Sequence, residues 1–448
     1  MGSQWDLIVA GAGPAGCALA AKVASTGASV LLLERSAEPG QGRDWVVDVN
    51  PATFGEAGIP EPESKCLFIE PERTVLVTSN RSHITDLLRA QLLPIRNSLF
   101  VKQLAGWAID SGCELRTGMR AEAPLIDNGS VTGVVAGTEE LRASIVADCT
   151  GIKGTLRRGL PAGWGMGYEL APSDIVLARR ETRLVDAEAA SGRAAAGYMT
   201  DGVRIDRVGS QGVYSVETIF LDLEAGVVDI LIGVKPGTGP TADERFSRIL
   251  EDMPFAGEKV FGDGGPIPIR RPLDNLVAPG FVALGDSACQ VIPAHGSGTA
   301  SALIAADLAS ASITRALEAG RKDRQALWGY AHAFQSGRGA LLAYYDVIRR
   351  HTDNLSVADL DLLLAKGLIS PAEVYSGLIP EMPHLGIRDV AGRLSASVAA
   401  LTLLAGVARA GILARRTLNH YRRYPTFYRP GAVDAWAGAM PGGAVNPR

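Results

Sequence analysis

A chain of 448 residues that is 47% hydrophobic and 21% charged is long enough to bury more than one core, and reads as α/β rather than fibrous or disordered. Its 44 Lys and Arg against 48 Asp and Glu leave a formal charge of −4, so there is no basic field to hold nucleic acid by counterion release. The five cysteines Cys17, Cys66, Cys113, Cys149 and Cys289 are scattered with no CxxC spacing, which argues against a zinc site, an iron–sulfur cluster or a disulfide scaffold and fits a reducing cytoplasm.

The chain opens on an apolar strand at residues 5–9, without the basic segment and cleavage site of an export signal, and a cytoplasmic location is expected. The turn Gly11-Ala12-Gly13-Pro14-Ala15-Gly16 follows, then small helix-forming residues to 25 and a second apolar strand at 29–33 ending in Glu34. This is a βαβ unit with a GxGxxG turn. Its glycines allow a tight turn and close approach of a pyrophosphate to a helix N-terminus, while Glu34 accepts from ribose hydroxyls. An acid at that position suits FAD or NAD and disfavours a 2′-phosphate. Arg35 joins the expected cofactor set.

Residues 36–80 are rich in Pro, Gly and Glu and read as an irregular excursion. Helical spacing returns at 97–111, and 114–146 alternates like a meander leading into Asp148. Strand-like runs within 163–234 predict a mixed or antiparallel sheet in a second domain. The apolar run 281–284 re-enters the first domain and opens on Gly285-Asp286 and Pro293-Ala294-His295-Gly296-Ser297-Gly298, followed by an Ala-rich helix at 299–319. A carboxylate at a strand end binds a ribityl or ribose hydroxyl, and amides at a helix start stabilise charge on a reduced flavin, so this second motif selects FAD over NAD. His295 lies inside that loop, where an imidazole suits proton donation or abstraction. The rest of the chain reads as helical. Residues 395–408 are small and apolar and are followed by Arg409, Arg415, Arg416, Arg422 and Arg423. This pattern suits a core helix, the cover of a greasy pocket, or peripheral membrane contact.

On these motifs, together with the stretch from Arg96 to Gly112, the chain resembles the para-hydroxybenzoate-hydroxylase type of FAD-dependent oxidoreductases and, within it, the geranylgeranyl reductase family. The resemblance implies that Arg96 contacts the FAD phosphates, Asp286 the ribityl chain, and the Pro293 to Gly298 loop the isoalloxazine ring. That family carries a Cys-Gly pair after the ribose-binding acid and a Tyr-x-Trp segment in the substrate domain; here those regions read Gly42-Arg43-Asp44-Trp45 and Tyr214-Ser215-Val216-Glu217. Trp45, Asp44, Tyr214 and Glu217 are accordingly the candidate substrate contacts.

The expected architecture is a Rossmann-type FAD-binding domain (1–160 and 262–325, with 42–95 shared), an interleaved mixed-sheet substrate domain (161–261) and a helical C-terminal region (326–448). The expected function is hydride transfer through FAD to or from an apolar substrate, isoprenoid or other lipid, with NAD(P)H or another donor as transient reductant. No metal is expected. A flavin monooxygenase and a non-catalytic prenyl-binding protein are the alternatives.

Overall fold

The computed structural model describes residues 5–78, 84–87, 92–194, 199–208, 215–237, 239–365 and 398–442. At its centre four strands run parallel in the order Phe281–Ala283, Glu139–Asp148, Trp5–Ala10, Val30–Leu33, with Glu114–Arg116 parallel at one edge and Val277–Ala278 antiparallel at the other. Val30–Leu33 is buried along its whole length, as its unbroken apolar run demands of a strand covered on both faces. The cover comes from the helices Asn97–Asp110, Pro14–Ala24 and Thr299–Glu318. Alanine and glycine along Pro14–Ala24 let it pack closely between the other two. Thr299–Glu318 is the one helix among the described residues long and apolar enough to cross a membrane, and 67% of its apolar window lies buried in this core.

The carboxyl ends of the four central strands are tied to one another. Gly11 donates its N–H to the Leu33 carbonyl, Cys149 to Ala10, and Leu284 to Asp148. The loops after all four strands therefore converge on one crevice, the place where open α/β sheets bind ligands.

A second sheet of seven strands runs in the order Ala256–Pro268, Ile175–Val185, Val227–Val234, Ser215–Asp222, Val203–Val208, Arg73–Thr78, Ile84–Leu87. It is antiparallel except where Val203–Val208 pairs parallel with Arg73–Thr78, so the mixed sheet read from the sequence is present. Ala256–Pro268 runs through position 262, and two of the strands come from within 42–95. Residues 36–80 are not simply irregular. They hold the strand Val46–Val49, the helix Ala52–Ala57 and Arg73–Thr78, and the two strands pair with the distant Leu93–Arg96 and Val203–Val208, which leaves no local period to read.

Pleat alternation divides this sheet's two faces. Ile219, Leu221, Val228, Ile230 and Ile232 pack with Phe246 of the helix Ala242–Asp252. The opposite face carries two rows across the strands. One runs Arg180, Leu231, Thr218, Asp206, Leu76; the next runs Thr182, Asp229, Phe220, Arg204, Thr74. The C-terminal helices close the remaining side: Arg324–Phe334, Ala340–Thr352, Val357–Ala365 and Val398–Tyr421. Tyr424 stacks on Trp328 at 5.4 Å, and the Trp328 indole N–H donates to the Pro425 carbonyl.

Candidate active site

Between the strand-end crevice and the polar rows of the second sheet lies a continuous cavity of about 720 Å³. Gly11, Gly13, Pro14, Ala15, Gly16, Glu34 and Arg35 line one end. Two of these glycines are set by packing: a Cβ on Gly11, at φ +107°, would lie 2.3 Å from the Cys149 carbonyl oxygen, and one on Gly16 would lie 1.9 Å from that of Gly11. Gly13 is different. Its φ of −81° is open to any residue, and a Cβ there would meet no protein atom within 4 Å. The vacant space at Gly13 opens on the cavity in front of the helix Pro14–Ala24. That helix has no side-chain N-cap and no acid in its first turn, leaving its first amides for a ligand. Glu34 is fixed by two backbone donors, the Ala12 N–H at 3.0 Å and the Ser36 N–H at 2.8 Å.

The second motif is built alike. Gln290 accepts from the Gly285 N–H and donates to the Tyr330 hydroxyl, which donates to the Ala283 carbonyl, a buried chain that fixes the turn. The helix Thr299–Glu318 begins after Gly298, again without a side-chain cap or first-turn acid, and Gly296, Ser297, Gly298 and Thr299 line the cavity. A Cβ on Gly298 would sit 3.3 Å from Asp286 Oδ1 and 3.1 Å from Val291. Two uncapped N-termini of core helices facing one crevice, with a carboxylate beside each, match the pyrophosphate, ribose and ribityl groups of an extended FAD. FAD supplies two-electron exchange once bound.

Arg157, 1% exposed, ties the end of the strand Glu139–Asp148 to the second motif. Its backbone N–H donates to Asp148, and its guanidinium donates to the carbonyls of Ser287, Met166 and Tyr168.

Of the residues expected from the sequence, His295 and Trp45 line the cavity together with both glycine loops, Glu34, Arg35 and Asp286. Arg96, Pro293, Asp44 and Glu217 are not among its lining residues. Arg96 and Asp44 form a bidentate pair at 2.9 and 2.7 Å, Asp44 also accepts from Ser98, and the Arg96 guanidinium lies 4.2 Å from the Phe261 ring centre. Glu217 is buried and paired with Arg207. Tyr214 lies outside the described residues. Cys149 lines the cavity, and burial first, then the nearby Asp148 charge, pushes its thiol well above the usual range. Among the described residues no cluster of His, Cys, Asp and Glu is suited to a metal.

Sequence reasoning missed several lining residues. Arg43 donates to Asp286 at 3.0 Å and to the Pro266 carbonyl at 3.2 Å. Asp48, Arg180, Arg204, Asp206 and Thr218 line the cavity's middle. Arg204 donates to Asp48 at 2.7 Å and Asp206 at 3.1 Å; Arg180 is held by the fully buried Asp229. Burial opposes the charge on Asp48, but Arg204 and then Arg180 outweigh it and hold that carboxyl below its ordinary range. The lining from the C-terminal helices is mostly apolar, Tyr345, Ile348, Leu355, Val357, Leu360 and Leu364, with Arg349 and Thr352 among them.

Fold and cradle together define a flavin-dependent oxidoreductase. Residues 6–171 match the family model described as lycopene cyclase protein. The chain is similar to the digeranylgeranylglycerophospholipid reductase of Sulfolobus acidocaldarius, 24% identical over 97% of this chain and 96% of that one, and to digeranylgeranylglycerophospholipid reductase 1 of Methanopyrus kandleri, 28% identical over 70% and 82%. Among solved structures it shares its fold with a geranylgeranyl bacteriochlorophyll reductase-like protein of Thermoplasma acidophilum, at 20% identity, TM-score 0.71 and coverage of 93% and 99%. It also shares it with a flavin-dependent brominase, at 15% identity, TM-score 0.60 and coverage of 94% and 100%. The resemblance to the geranylgeranyl reductases read from the sequence stands, and the chain is an enzyme, a flavin-dependent oxidoreductase.

Proposed function

We propose that this enzyme reduces carbon–carbon double bonds of an isoprenoid lipid, with FAD held between the Gly11 to Gly16 and Gly285 to Gly298 loops. The observation that carries the reading is the single cavity running from the two uncapped helix N-termini to the mostly apolar lining at Tyr345, Ile348, Leu355, Leu360 and Leu364. In this assignment Glu34 and Arg35 hold the adenosine side, Asp286 the ribityl side, and the loop from Pro293 to Gly298 borders the ring. Arg96 acts at the phosphates only by exchanging its Asp44 partner, and Trp45 borders the substrate. His295 supplies the proton that completes addition of hydrogen across the double bond. NAD(P)H reduces the flavin without a lasting site of its own.

The division into a flavin domain, a sheet domain and a helical C-terminal cover separates cofactor binding, substrate binding and closure of the cavity. Val398–Tyr421 buries Ala410, Ala414, Leu418 and Tyr421 inward, while Leu401 and Ile412 are 41% and 57% exposed beside Arg409, Arg415 and Arg416. Such a face suits peripheral contact with the cytoplasmic side of an anionic bilayer, from which a lipid substrate enters past Leu355 and Leu403, which both pack on Leu363. The test is product analysis. Protein reduced with dithionite and incubated with an unsaturated prenyl glycerolipid yields product carrying two added hydrogens per double bond. Unchanged lipid alongside oxygen-dependent hydroxylation moves the assignment to a monooxygenase.

A further inference from the structure

The middle of the cavity is lined by ionised groups although both the reductase reading and the mostly apolar lining from the C-terminal helices call for an apolar guest. Arg180 is engaged on every side: its Nε donates to Asp229, its NH1 donates to the Val46 carbonyl and lies 4.0 Å from Asp48 Oδ2, and Asp229 accepts from Thr182 with its other oxygen. Arg204 is only partly engaged. Its Nε reaches Asp206 Oδ1 and its NH1 reaches Asp48 Oδ2, while Thr218 also donates to Asp206 Oδ1 at 2.7 Å. Among the described residues the second terminal nitrogen of Arg204, Asp48 Oδ1 and Asp206 Oδ2 have no hydrogen-bond partner, and all three residues line the cavity. With Arg180 and Arg204 set against Asp48, Asp206 and Asp229, the cluster holds one more carboxylate than guanidinium.

Four kinds of guest can be weighed against that seat. An ammonium satisfies the carboxylates but leaves the free Arg204 nitrogen unpaired and sets its charge against Arg204 and against Arg180, whose NH1 lies 4.0 Å from Asp48 Oδ2. A hydrocarbon displaces water from two acceptors and a donor without replacing those hydrogen bonds, which is costly. A carboxylate or phosphate satisfies the guanidinium but meets the two carboxylates with like charge. A hydroxyl donates to a carboxylate and accepts from the guanidinium at once. The seat abuts the flavin loop, because the Asp48 carbonyl accepts from Ser297 Oγ at 3.3 Å. Resting on the isoprenoid reading above, we infer that Asp48, Arg204 and Asp206 seat a hydroxyl-bearing end of an amphiphilic substrate beside the 293–298 loop, with its apolar chain directed toward Tyr345, Ile348 and Leu360.

The test is calorimetric titration of the FAD-loaded protein with four ligands that share one farnesyl chain: the alcohol, the acid, the amine and the hydrocarbon. The alcohol binds about tenfold or more tighter than the other three, the worth of one hydrogen bond to a charged group. The conservative Asp206→Asn variant, checked for full FAD loading, removes the excess negative charge, and the acid then gains on the alcohol. Equal binding of all four, or a preference of the parent protein for acid, amine or hydrocarbon, overturns the hydroxyl seat and leaves the isoprenoid reading in place. An Asp206→Asn variant that is fully loaded and keeps the parent's preference overturns it too. Failure of all four to bind overturns the isoprenoid reading and the seat with it.

Discussion

Gly13→Ala separates ligand binding from folding in a way the other loop glycines do not. The added methyl meets no protein atom within 4 Å, and φ of −81° is ordinary for alanine, so the apoprotein has no clash to relieve. Alanine at the N-cap costs about 1 kcal/mol of helix stability, and the loss of glycine's freedom in the unfolded chain returns about 0.4–1 kcal/mol, so the two nearly cancel. The same methyl fills the space in front of the first amides of Pro14–Ala24. Displacing one charge-assisted hydrogen bond to a phosphate loses about 1.5–3 kcal/mol, which weakens FAD about 10- to 100-fold. The assay is fluorescence titration of apoprotein with FAD, paired with urea unfolding of the apoprotein. A variant that binds FAD as tightly as the parent, or that loses several kcal/mol of apoprotein stability, refutes the assignment of this loop to the pyrophosphate.

Gly16→Ala, whose methyl would lie 1.9 Å from the Gly11 carbonyl oxygen, abolishes soluble folded protein, as expression and circular dichroism will show. Arg157→Met strands the carbonyls of Ser287, Met166 and Tyr168 and lowers unfolding stability by about 3 kcal/mol or more, read from the urea midpoint. Asp48 carries a folded-state pKa below its ordinary 3.8, so its contribution to stability is present above that value and is lost as pH falls through the folded one. Asp48→Asn therefore flattens the acid limb of melting temperature against pH, and an unchanged limb contradicts the Arg204 pairing. Replacing the exposed Leu401 and Ile412 together with glutamate removes about 1.5–3 kcal/mol of burial per side chain at a bilayer, and cosedimentation with anionic vesicles falls by tenfold or more.

The first domain was legible because its signals are local. Gly11 to Gly16, Glu34 and the 281–298 segment carry turn, strand and helix-start chemistry within a few residues, and the structure brings both motifs to one crevice. The middle of the cavity was hidden because its residues meet through strand register. Val203–Val208 reads Val-Arg-Ile-Asp-Arg-Val, an alternation that looks like an ordinary solvent face until Arg204 is seen across from Phe220 and bonded to Asp48, far away in sequence. Arg43 sat beside the expected substrate residues, yet nothing local points it at Asp286. Asp44 and Arg96 were each assigned to a ligand, whereas they hold one another, a pairing between a loop and a helix start that no spacing reveals.

The most direct test of hydride transfer to an isoprenoid is anaerobic. The purified flavin is reduced, an unsaturated prenyl glycerolipid is added, and the oxidised flavin absorbance is followed before air is admitted. Return of that absorbance in step with the added double bonds is the predicted result. A flavin that stays reduced until oxygen enters contradicts it.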